Sequence, residues 1–267
     1  LFFAGFGHFQ DVIRDLPVMN RIGANLIQIE IGPSYLFQPP EPGQGALENI
    51  TLERYRSRVE KAMREAVAQK VKIALLISPH YPFGYYVNRD RANTHDLHGR
   101  YVYYQRGNRR MLEAYVRALF AELAKSPYRD AVQSIVLTNE PNMKSLTMDS
   151  CFLMPEFEQY LRDRFGSLDD YNKLTGKNYA DAAALLASGE QDPAARYAFH
   201  CFKRDFFAEW HRWFGDLVRE AWPGIPTSAK VMALHNYLPA TYGDAIDLEL
   251  LGEVTEINGN DNFCYYD

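Results

Sequence analysis

The sequence predicts an α/β protein whose parallel strands close as a (β/α)8 TIM barrel, with about six of the eight βα units lying within its 267 residues. Three observations carry this expectation. Apolar, β-branched runs alternate with segments of helical periodicity along the whole chain, and turn residues close each run. Such alternation implies right-handed βα crossovers around a parallel sheet. The first turn, Gly5-Phe6-Gly7-His8, also lacks the later glycine that an open dinucleotide-binding sheet displays after its first strand, which disfavours the doubly wound alternative.

Residues 2–9 form a short apolar run with Gly5 and Gly7 and supply the first strand; residues 11–23 have apolar positions at helical spacing and end on Gly23. Residues 25–31 are β-branched and close at Gly32-Pro33, giving strand two. After a Pro/Gly-rich loop at 39–45, residues 51–70 place Leu52, Tyr55, Val59, Ala62, Met63, Ala66 and Val67 on one side of a helix that starts at a threonine cap. Residues 71–77 are strand three. A long loop then runs through Gln105, and residues 109–125 form a helix with Met111, Leu112, Tyr115, Leu119 and Leu123 along one side. Strand four is 131–138, closed by Asn139-Glu140-Pro141. Residues 142–198 fit no βα unit and read as an insertion: a helix near 155–165, a turn at Gly166-Ser167 and a polar, alanine-rich stretch. A long aromatic helix at 199–221, strand five at 227–234 and a sixth strand within 254–266 complete the pattern, and the last two strands are expected beyond Asp267.

Composition excludes several function classes. Hydrophobic residues at 47% and charged residues at 24% are globular values and rule out a disordered chain. Lys and Arg number 29 against 34 Asp and Glu, so the net charge of −5 offers no cationic field for a phosphate backbone, and nucleic acid is not an expected partner. No run approaches the length needed to span a bilayer, and the apolar start lacks the basic region of a signal peptide, so no membrane partner is expected and a cytoplasmic location is favoured. Self-association is left open. Cys151, Cys201 and Cys264 are far apart and read as free thiols; no His, Cys and carboxylate set recurs at ligand spacing, so neither metal nor cofactor is expected.

In a βα barrel the working residues sit at the carboxyl ends of strands. This reduces the candidates to His8 after strand one, Glu30 at the end of strand two, His80 and Tyr81 after strand three, Asn139-Glu140 after strand four, His235 and Asn236 after strand five, and Asp261-Asn262-Phe263 in strand six. Glu140 follows the apolar run Ile135-Val136-Leu137, where a carboxylate is costly to bury without a partner. Proton donation from a raised pKa is one reason for it; a helix-capping or loop salt-bridge role is the plainer one. Trp210 and Trp213, three apart on one helix, read as core, and His8 and His235 as hydrogen-bonded structural histidines.

Residues 11–31, with Ile22-Gly23-Ala24-Asn25 leading into an apolar strand, resemble the opening βαβ unit of clan A glycoside hydrolases, whose fourth strand ends in Asn-Glu as Leu137-Thr138-Asn139-Glu140-Pro141 does. The stretch from Phe157-Glu158-Gln159-Tyr160 through Asp169-Asp170-Tyr171-Asn172, followed by Thr175-Gly176, is similar to the segment after the acid/base in family 42 β-galactosidases. The likeness extends to the helix at 202–219 and to Asp261-Asn262-Phe263, and so covers nearly the whole chain.

The resemblance implies a retaining hydrolase of a β-linked sugar, with Glu140 as general acid/base, Asn139 bonding the sugar 2-hydroxyl and a nucleophilic glutamate following strand seven, beyond Asp267. Three positions depart from the family: Gln28 stands where it usually has Arg, Glu30 where it has Gly, and Phe263 where Tyr is more frequent, which leaves the exact sugar open. Glu30 either bonds sugar hydroxyls or pairs with an Arg in the barrel mouth; His80, Tyr81 and Phe83 form either a sugar-stacking wall or loop packing. Two other functions compete. One is a catalytically silent carbohydrate-binding barrel. The other is a metal-dependent barrel hydrolase, which wants His-x-His after strand one where Gly7-His8-Phe9-Gln10 offers one histidine.

Overall fold

The computed structural model describes residues 2–5, 9–31, 53–79, 95, 101–232 and 245–261. Strands β1 (Phe2–Gly5), β2 (Leu26–Glu30), β3 (Lys72–Leu76), β4 (Val132–Asn139), β5 (Thr227–Met232) and β6 (Ile257–Asp261) form one sheet in the order β1-β2-β3-β4-β5-β6. Every neighbouring pair is parallel. An order that follows the sequence without reversing is the winding of a barrel, because a doubly wound sheet must turn back at a switch point. The described helices are α1 (Phe9–Arg21), α2 (Glu53–Gln69), α3 (Arg106–Leu123), α4 (Met154–Phe165), α5 (Leu168–Thr175), α6 (Ala182–Ala187), α7 (Pro193–Ala221) and α8 (Leu248–Val254).

The two faces of the sheet bury different things. Ile27, Ile29, Ile73, Leu75, Ile135, Leu137 and Val231 join the large core shared with the helices, where Met111, Leu112, Tyr115, Leu119 and Leu123 of α3 are buried as their spacing predicts. Ala74, Leu76 and Val136, with Leu26 against them, form a separate small cluster. This second set occupies the alternate positions along the strands and therefore marks the lumen face. Register extends that face to Gln28 and Glu30, which pair with Ala74 and Leu76, and to Ser228, which pairs with Val136. Between β5 and β6 the approach is close enough that a Cβ on Gly259 would lie 2.7 Å from the Ala229 carbonyl oxygen, so the strand requires glycine there.

Several boundaries differ from the sequence expectation, and capping explains them. The aromatic helix begins at Pro193 rather than at residue 199, because the Asp192 carboxylate accepts from the Ala194 and Ala195 amides at 3.0 and 3.4 Å and Pro193 fits the first helical turn. The alanine-rich stretch contains two helices, started by Ser167 accepting from the Asp170 amide at 3.0 Å and by Asp181 accepting from the Ala184 amide at 2.7 Å. Asp247 caps α8, a helix the periodicity did not reveal, through the Glu249 and Leu250 amides. Trp210 is buried in the core, while the half-buried Trp213 ring lies 4.4 Å beneath the Arg109 guanidinium. Cys151 and Cys201 are free, and burial pushes the Cys151 thiol up to about 11, which makes it a poor nucleophile.

Candidate active site at the carboxyl-terminal rim

Because all six strands run the same way, Glu30 ending β2, Asn139 ending β4, Glu140 just after it and Asp261 ending β6 share one rim. His80, Tyr81 and Phe263, like His8, Phe83, His235 and Asn236, lie outside the described residues. The face on which each rim residue stands follows from register. Along β2 simple alternation suffices: Leu26, Gln28 and Glu30 share the lumen face.

On β4 alternation alone gives the wrong answer. Counting from Val136, strict period two would put Thr138 in the lumen and Asn139 among the helices. The ladder to β5 slips at this point: Val136 pairs with Ser228, Thr138 with Ala229 and Asn139 with Lys230. Two residues of β4 thus oppose one step of β5, which is a β-bulge. Leu137 and Thr138 both fall on the helix side, where each is fully buried, and Asn139 returns to the lumen face beside Lys230. Glu140 then donates its amide to the Lys230 carbonyl at 2.7 Å and adopts a φ of +49°. A non-glycine residue in that region, here also preceding a proline, costs about 1–3 kcal/mol and is tolerated where the surroundings enforce it. Ser78, just beyond β3 on the same rim, has a φ of +49° as well.

The electrostatics of the mouth involve one lysine that sequence reasoning missed. Burial pushes the Glu30 carboxyl up, and the Lys230 ammonium opposes that shift. Among the described residues, the cation that Glu30 senses is Lys230 of β5. Lys230 is itself buried. The available signal was a lysine inside the run Thr227-Ser228-Ala229-Lys230-Val231-Met232, on a strand covered on both faces. Two polar atoms on this rim, Ser78 Oγ and Asn139 Oδ1, are buried with no hydrogen-bond partner among the described residues. Each is a hydrogen-bonding atom whose capacity the described residues leave unfilled.

The loops after β3 and β4 are tied down by tyrosines preceding α3. Tyr101 donates to the Pro79 carbonyl at 2.8 Å and Tyr103 to the Asn142 carbonyl at 3.2 Å. Burial holds both phenols well above their ordinary range, so they remain donors. The Trp210 ring packs edge-on against Tyr103 with centroids 5.1 Å apart. Among the described residues no group of three or more His, Cys, Asp or Glu could hold a metal ion, and no helix is long and apolar enough to cross a membrane.

No family model matches the chain, and no curated protein matches it. Solved structures do. A β-galactosidase from the psychrophilic Marinomonas ef1 superposes with a TM-score of 0.71 at 18% identity, over 98% of this chain and 41% of its own. The β-galactosidase of the Antarctic haloarchaeon Halorubrum lacusprofundi gives 0.73 at 17% identity, over 98% of this chain and 39% of its own. The fold is a TIM barrel. The catalytic domain of a β-amylase from Paenibacillus polymyxa shares it at a TM-score of 0.69 and 11% identity, covering 97% of this chain and 76% of that domain. The chain thus spans about two fifths of the length of the two β-galactosidases, and its structural neighbours are glycoside hydrolases.

Proposed function

We propose that the chain forms the greater part of the catalytic barrel of a retaining glycoside hydrolase acting on a β-linked sugar, with β-galactosidase-like specificity. The observation that carries this reading is the presentation of Asn139 and Glu140 together at the carboxyl end of β4, the first returned to the lumen by a bulge and the second held at a φ of +49°. Backbone strain persists only where the surrounding structure over-determines it, and such positions cluster at active sites. The names of the two β-galactosidases support the substrate class.

In this reading Glu140 protonates the leaving oxygen, a second carboxylate about 5 Å away attacks the anomeric carbon, and Glu140 then activates water to release the sugar. That second carboxylate is expected beyond Asp267. Asn139 bonds the 2-hydroxyl. Glu30 on β2 and Lys230 on β5, beside Asn139, bind further hydroxyls, with His80, Tyr81, Asp261 and Phe263 completing the sugar pocket. The chemistry requires no cofactor.

The test is Glu140→Gln in the intact enzyme. Turnover of glycosides with poor leaving groups is expected to fall by about 10²–10⁴-fold. An activated aryl glycoside should still form the covalent intermediate and release it slowly, with added azide rescuing the second step. Wild-type hydrolysis of unactivated glycosides by Glu140→Gln would overturn the assignment. Sugar binding without turnover by the unmutated protein would favour the silent carbohydrate-binding barrel.

A further inference from the structure

Thr138 and His211 lie behind the rim, in the layer between sheet and helices, and touch nothing in the lumen. Both are fully buried. The His211 ring is bonded at each nitrogen: Nδ1 lies 2.8 Å from the carbonyl oxygen of Phe207, one turn earlier in α7, and Nε2 lies 2.9 Å from Thr138 Oγ1. A carbonyl only accepts, so Nδ1 carries the proton and Nε2 is the acceptor for the Thr138 hydroxyl. Burial pushes the imidazole down to about 4, which keeps it neutral and this tautomer in place.

Thr138 is also the residue that the β4 bulge displaces from the lumen face to the helix face. A hydroxyl at that position enters an otherwise apolar layer beside Leu137, and only a dedicated acceptor makes its burial tolerable. The unslipped register would direct the hydroxyl into the lumen and Asn139 against the helices. The His211 acceptor therefore favours the bulged register, and this register is what turns Asn139 inward and brings the Glu140 amide to the Lys230 carbonyl.

We propose that His211, acting through Thr138, is the positioning residue that locks the β4 bulge and thereby sets where Asn139 and the Glu140 carboxyl meet the sugar. The inference rests on the reading of Glu140 as acid/base. It assigns to α7 a role in transfer of the leaving-group proton, exerted without contact with substrate.

The experiment compares Thr138→Val, which keeps the shape and removes the donor, with Thr138→Ser, which keeps the donor, in the intact enzyme well below each variant's unfolding temperature. The readout is the ratio of kcat/KM for an unactivated alkyl glycoside to that for a dinitrophenyl glycoside, together with the preference for a 2-hydroxy over a 2-deoxy sugar. Displacing a reacting group by about 1 Å costs up to about 10²-fold, so Thr138→Val should lower the first ratio by about tenfold or more and erode the second preference. Thr138→Ser should restore both. A bond that only stabilises the fold would lower the melting temperature and leave both ratios at their wild-type values, and that result overturns the inference. His211→Asn breaks the same bond from the other side, so the comparison does not depend on one variant folding. If Glu140→Gln itself spares unactivated substrates, the acid/base assignment falls; if Glu140→Gln behaves as expected and Thr138→Val does not, only the role of His211 falls.

Discussion

At the amino-terminal end of the sheet, the Glu256 carboxylate accepts from the Thr227 amide at 2.7 Å and the Thr227 hydroxyl at 2.8 Å, and pairs with Arg219 of α7 at 2.8 Å. Lys72, opening β3, donates to the Asp130 carbonyl at 2.5 Å. At the carboxyl-terminal end, Ser78 Oγ and Asn139 Oδ1 are buried with no partner among the described residues, and Ser78 and Glu140 both carry a φ of +49°. The difference is one of purpose. Groups at the first end are bonded within the protein and tie β5, β6 and α7 together; at the second, Ser78 and Glu140 hold costly conformations and the buried Ser78 and Asn139 oxygens find no partner among the described residues.

Substitutions at the two ends should therefore move activity and stability in opposite senses. The largest contrast is expected for Glu140→Gly. It removes the carboxyl group and relaxes a φ that glycine adopts freely, so turnover of unactivated glycosides falls by about 10²–10⁴-fold while stability rises by about 1 kcal/mol. Denaturant unfolding beside steady-state kinetics checks this, and a loss of stability would show that the conformation at Glu140 is not strained.

Next in size is the acid response of the layer behind the rim. His211 has its pKa depressed from 6.5 to about 4, so the unfolded chain takes up the proton first. The contribution of this residue to stability is complete above about pH 6.5 and is lost as pH falls toward 4, a change of about 3 kcal/mol. Urea titrations across that window should show the slope in the wild type and a reduced one in His211→Asn. Equal slopes would mean that other groups dominate acid unfolding.

The smallest effect belongs to the opposite end. Burial alone would raise the Glu256 pKa, but the Thr227 bonds and Arg219 outweigh it and hold the carboxyl below its usual range. Its stabilisation is thus present above the ordinary carboxylate pKa and fades as pH falls. Its side chain is 46% exposed, so solvent screening leaves Glu256→Ala a loss of about 1 kcal/mol in unfolding free energy, with kcat unchanged. A fall in kcat would break the division between the two ends.

Much of this was legible in the sequence, and the boundary of legibility has a physical cause. All six strands lie where the β-branched runs place them, and Asn139-Glu140 closes β4 as its turn residues indicate. What escaped is whatever depends on which way a residue faces inside a continuously apolar strand. Ile135-Val136-Leu137-Thr138 carries no alternation, so nothing in it announces a slip of one residue, and the lumen position of Asn139 could not be deduced. Lys230 and His211 escaped for a related reason: each is a polar residue in an apolar element whose partner, Glu30 or Thr138, is distant in sequence. The helices α5, α6 and α8 are short and begin at single capping side chains, a weaker signal than periodicity.

The longest of the five connections between consecutive strands joins β4, ending at Asn139, to β5, beginning at Thr227, with α4 to α7 between them. Closing a loop costs entropy that grows with its length and must be met before the contacts it permits are made. The seam bearing the bulge, Lys230 and Glu140 is thus the most non-local pairing in the sheet. During folding, the β1–β2 and β5–β6 ladders can form from nearby chain, whereas the seam waits until the excursion through α7 has returned. The rim geometry is therefore expected to form late in folding, after α7 has brought His211 to Thr138.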